Sequence, residues 1–192
     1  MLASNSHAQL YDRPSDGAQA GVYGCLRRGG RAVYLGEDRS YEGSGCLRKD
    51  EGHCARATQL VLAGTTVAYF TTPVEPGYAQ EHAIVVRSIA TGRALHSVAI
   101  RVRTVHQTML EESTVLKIVA KPDGAVAWVQ EDSFARHGGA VPPPPAYSVF
   151  AVDRKGFHTL TPELPASPRA MTLTGTTLSW SNEATRESAL LD

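Results

Sequence analysis

The chain has 192 residues, 42% of them apolar, and its 19 Lys and Arg balance 19 Asp and Glu for a formal charge of +0. That length suits one domain able to bury about 70% of its unfolded surface, and the apolar share excludes wholesale disorder. With no basic surplus and no apolar run near the roughly 18–20 residues of a membrane helix, neither nucleic-acid binding nor membrane insertion is expected.

Residues Met1 to His7 carry neither a basic start nor an apolar stretch, so no signal peptide is expected there. Cationic residues are mostly arginine, with lysine only at Lys49, Lys117, Lys121 and Lys155, and asparagine only at Asn5 and Asn182. This is the pattern of a GC-rich genome, so the abundance of arginine is not read as a basic patch.

The hydrophobic period is two almost throughout. A first, partial unit over 7–36 contains strands near 7–12, 20–27 and 31–36, with Cys25 expected as a small buried residue. A Gly-rich loop over 37–57 follows, where Cys46 and Cys54 lie close enough in sequence for a disulfide. Free thiols are the alternative, as is a zinc site of Cys25, Cys46, His53 and Cys54, though it has no Cys-x-x-Cys knuckle. A disulfide would place the protein outside the reducing cytosol.

A complete unit spans 58–100, including the strand-like run Ala83 to Ala90. No convincing helix is found: Gln107 to Thr114 has room for one or two helical turns but is short and weakly patterned. A second complete unit spans 115–161, with β-branched runs at Val115 to Ala120 and Tyr147 to Asp153. Pro142 to Pro145 reads as a stiff polyproline II spacer, and a last partial unit covers 170–191.

The units share two kinds of turn. Leu62-Ala63-Gly64-Thr65-Thr66-Val67-Ala68-Tyr69 matches Leu173-Thr174-Gly175-Thr176-Thr177-Leu178-Ser179-Trp180, with Lys121-Pro122-Asp123-Gly124-Ala125-Val126-Ala127-Trp128 between them. Each reads as a tight Gly turn, then a strand bearing a small residue followed by an aromatic, so Tyr69, Trp128 and Trp180 are expected in the core. Alternating with these are Arg28-Gly29-Gly30-Arg31, Ala90-Thr91-Gly92-Arg93 and Asp153-Arg154-Lys155-Gly156. Both kinds recur at about 50–60 residues, the length of large repeat units.

These hairpins resemble blades of β-propeller repeat proteins, of the divergent, exported bacterial type without the Trp-Asp signature. The expected fold is therefore all-β: one domain over 1–192, a propeller-like array of four-stranded antiparallel units, two complete and two partial. A β-sandwich is the alternative. Propellers have about four to eight blades, so either four short blades close in one chain or two chains form a homodimer that completes a six-bladed ring.

In such an array the tight turns fall on one face and the long loops on the other, and long loops on a rigid scaffold commonly carry function. The expected ligand-binding face comprises Tyr78, Glu81, His82, His106, Glu111, Asp132, Arg136 and His137. No His-Glu-x-x-His spacing, Gly-x-Ser-x-Gly elbow or phosphate-binding Gly loop occurs. No metal, cofactor or catalytic residue is therefore expected. The reading is a non-enzymatic module, extracellular or in the cell envelope, that binds a protein or glycan. The alternatives are a propeller-type glycan hydrolase or lyase using loop carboxylates or histidines, and a cytoplasmic location.

Overall fold

The computed structural model describes residues 1–14, 20–37, 55–73, 82–100, 110–135, 143–164, 167–182 and 185–192. They form fifteen strands, with no helix among the described residues: β1 Ala3–Ser4, β2 Ala8–Pro14, β3 Ala20–Leu26, β4 Val33–Glu37, β5 Ala55–Ala63, β6 Thr66–Pro73, β7 His82–Ser88, β8 Ala94–Ile100, β9 Leu110–Ala120, β10 Val126–Ala135, β11 Ala146–Asp153, β12 Gly156–Leu164, β13 Arg169–Thr174, β14 Thr177–Asn182 and β15 Thr185–Leu190. The chain is all-β, in several sheets, none of which closes into a barrel.

Of the weakly patterned stretch 107–114, residues 110–114 lie in β9, and the rest falls outside the described residues. The alternation of buried Ser113 and Val115 with exposed Thr114 and Leu116 suits a strand better than a helical turn.

Contacts group the chain into two compact units. The first comprises Met1–Ile100 with Ala120–Gly124, and the second Arg101–Val119 with Ala125–Asp192. In the first, eight strands lie side by side in chain order. Pairing is antiparallel except between β4 and β5, which meet in parallel through the single pair Glu37 and Arg56. The expected strands near 7–12, 20–27 and 31–36 are β2, β3 and β4 of this sheet. The core of this unit joins Leu10, Val22 and Leu35 to Val67, Tyr69 and Ile89.

Tight turns knit this unit together. The Asn5 side-chain amide donates to the Gly64 carbonyl at 3.0 Å, while its oxygen accepts from the backbone of His7 and Ala8. The Thr66 hydroxyl then donates to the Pro122 carbonyl at 2.8 Å. Gly64 has φ +59°, and a Cβ there would come within 3.1 Å of Pro122. Glycine is needed both for the left-handed backbone and for the close approach.

In the second unit a four-stranded sheet has the order β12-β11-β10-β9 and a three-stranded sheet the order β13-β14-β15. Ala127, Val129, Val149 and Ala151 pack in one cluster with Met171, Leu178, Trp180 and Leu191. Tyr69, Trp128 and Trp180 are all buried, as their matching places in the sequence predict. The match extends to a feature invisible in the sequence. Gln59 and Ala170, each five residues before its turn glycine, have φ 53°, and each lies at a register shift of its hairpin.

Candidate functional site

Of the expected site residues, Tyr78, Glu81, His106, Arg136 and His137 lie outside the described residues, as do Cys46 and Cys54. Glu111 lies on β9 rather than in a loop. His82 and Asp132 are likewise strand residues, on β7 and β10, because cross-strand pairing extends further than the sequence boundaries predict. They belong to different compact units.

His82 pairs with Ile100 in register, and its ring lies 5.7 Å from Phe70, tilted by 57°. It is half-buried against an aromatic side chain. Asp132 sits at the centre of a polar group: its Oδ1 accepts from the Ser113 hydroxyl at 2.6 Å and from the Gln130 amide at 2.7 Å. Ser113 and Gln130 are themselves buried, and a buried donor must find an acceptor. Gln130 and Asp132 share one side of β10 because strand side chains alternate, and Ser113 reaches them from β9. One Asp132 oxygen is thus committed to holding two strands together. Beside this group, Tyr147 meets Glu131 across the sheet; burial and the Glu131 carboxylate both push its phenol up.

Cys25 is half-buried on β3, not fully buried as expected, and its sulfur accepts from the Gln9 amide at 3.3 Å. Among the described residues no three His, Cys, Asp or Glu side chains gather in a way that could hold a metal ion.

Two groups escaped the sequence reading. The first surrounds Asp153, at the turn between β11 and β12. Its carboxylate accepts from the His158 ring at 2.9 Å, from the Lys155 N–H at 2.8 Å and from the Asp192 N–H at 3.2 Å. Burial alone would raise the pKa of this carboxyl; the hydrogen bonds from His158, Lys155 and Asp192, with the His158 charge, outweigh burial and hold it below its ordinary 3.8. Lys155 also pairs with the Asp192 side chain. The signal available was Asp-Arg-Lys-Gly, an acid opening a turn, but nothing in the sequence pairs it with residue 192.

The second is a cleft of about 270 Å³ in the first unit, at its tight-turn end, lined by Leu26, Arg31, Val33, Arg87, Ile89 and Thr91 among others. Expectation lay with the long loops, whereas this cleft is formed by two short turns, 27–32 and 89–93.

No family model matches the sequence, and no curated protein matches it. Among solved structures the chain is similar to hydrazine synthase of Kuenenia stuttgartiensis, with 14% identity and a TM-score of 0.43. The similarity covers 86% of this chain and 47% of that one, so the present chain spans about half the length of that structure.

Proposed function

We propose that the protein is a propeller-like binding module, with β5–β8 and β9–β12 as whole blades and β2–β4 and β13–β15 as partial ones. One observation carries the reading. Tight turns such as 64–65, 154–155 and 175–176 close one end of their hairpins, while the longer connections 74–81 and 136–145 leave from the other. Burial supports it too: every residue from Thr66 to Thr71 on β6 and from Val126 to Gln130 on β10 is buried. A blade packed on both faces requires this, and an outer sheet of a two-layer sandwich does not.

In this reading the longer connections, with Tyr78, Glu81, His106, Arg136 and His137, bind a glycan or protein outside the cell or in its envelope. Asp132 serves as a strand tie, which favours binding over a hydrolase or lyase. A second copy completes the ring.

Two experiments test it. Light scattering over a concentration series should give the mass of a dimer; a strict monomer would overturn the two-chain ring. A glycan array with the purified protein, followed by incubation with any glycan retained, should show binding without cleavage. Release of reducing ends or unsaturated sugars would overturn the non-enzymatic reading. Replacing 136–142 by a Gly-Ser segment of equal length should abolish retention while leaving the melting temperature unchanged.

A further inference from the structure

The tight-turn end of the first unit combines features that the binding reading does not use. Val85 on β7 and Ile89 just beyond it lie in the apolar layer with Val67 and Tyr69, yet Arg87, on the same side of β7 as Val85 and paired with Val67, places a guanidinium beside that layer. Burial pushes the Tyr69 phenol up despite the charge of the Arg87 guanidinium and its hydrogen bond to that hydroxyl, so Tyr69 partners Arg87 as a neutral group and supplies no counter-charge. Arg87 Nη1 donates to the Gly92 carbonyl at 2.9 Å, which fixes the turn, while its Nε is buried without an acceptor. Neither Arg87 nor Arg31 has a carboxylate partner among the described residues.

A half-buried guanidinium that has hydrogen bonds but no carboxylate beside it remains favourable for an anion. Arg87 lines a cleft that is also lined by Arg31 and Thr91, with Leu26, Val33 and Ile89 among its apolar residues. None of the residues lining this cleft is acidic. Its volume of about 270 Å³ equals roughly nine waters, enough for one ring and its charged group but below the ~300–1,000 Å³ of pockets for drug-sized ligands. Guanidinium groups favour carboxylate oxygens, and the apolar lining residues suit a compact ring body.

We propose that this cleft is a binding site for a small organic carboxylate with a ring-sized body, held by Arg87 and Arg31. The site is independent of the long-connection end and of whether the sheets are propeller blades.

Calorimetric titration of the full chain with benzoate and with D-glucuronate tests the proposal, with benzamide, glucose and inorganic phosphate as controls. At least one carboxylate should bind, more weakly as salt is added, and neither neutral analogue should match it. Arg31→Ser and Arg87→Gln should each weaken that binding about tenfold or more. Arg31 is exposed, so its variant keeps the test open if Arg87→Gln fails to fold, which thermal melting would reveal. Four results would overturn the proposal: no heat from either carboxylate, equal binding of benzamide or glucose, affinity unchanged in Arg31→Ser, or phosphate binding as tightly as the carboxylates.

Discussion

The hairpins β5–β6 and β13–β14 share the Leu-x-Gly-Thr-Thr motif, the same turn backbone at φ +59° and +60°, and the same left-handed residue five positions earlier. Their surroundings differ. In β6 the run Val67, Ala68, Tyr69 and Phe70 is buried without a break, whereas in β14 burial alternates, with Leu178 and Trp180 inside and Ser179 half-exposed. Gly64 meets Pro122, while a Cβ on Gly175 would meet nothing within 4 Å. One local motif therefore serves two packing situations. The motif sets the hairpin, and the second face of the strand records whether anything covers it: Ala68 and Phe70 are apolar there, Ser179 and Ser181 polar.

The largest expected effect breaks this contrast directly. Ala68→Asp places a charge at a site with no exposure and should cost about 3 kcal/mol or more, whereas Ser179→Asp should cost about 1 kcal/mol or less. Urea titrations of both variants measure the difference; equal losses would mean that β6 is no more enclosed than β14.

A smaller difference is expected at the turns. Gly64→Val forces a β-branched residue into a left-handed backbone and drives it into Pro122, a loss of about 3 kcal/mol. Gly175→Val meets the same backbone strain in open space and should lose about 1–2 kcal/mol. The two melting curves should therefore rank in that order.

The least effect is expected from acid, and only in the second unit. After β15, Leu191 donates to the Thr176 carbonyl, and the Asp192 N–H is held by the Asp153 carboxylate. Because the folded pKa of Asp153 lies below its ordinary 3.8, its contribution is fully present above that value. It is lost as pH falls through 3.8 toward the folded value. Wild type should thus exceed Asp153→Asn in stability at neutral pH, and the gap should shrink in acid; a gap that widened would reverse the assigned direction.

The hairpins were legible in the sequence because the information is local. Gly in a turn relieves steric cost within four residues, and a period of two tells which side chains share a face. So the expected hairpins about Gly64 and Gly175 are found as β5–β6 and β13–β14. The candidate site was far less legible. Asp132 reads as a loop acid, but its role as acceptor for Ser113 depends on pairing between β9 and β10, which extends beyond the predicted strand ends. Likewise, arginines discounted as a codon bias include Arg31 and Arg87, which two distant turns bring to one cleft.

The sequence by itself determined the all-β character, the tight turns and the apolar faces, since each follows from the steric and hydrophobic preferences of neighbouring residues. Only the tertiary structure decided that β4 and β5 join in parallel, that Asp153 holds the backbone of Asp192, and that Arg87 stands without a carboxylate among the described residues. Those depend on which residues far apart in the chain are brought together. Their energies depend on distance and burial, which no local preference encodes.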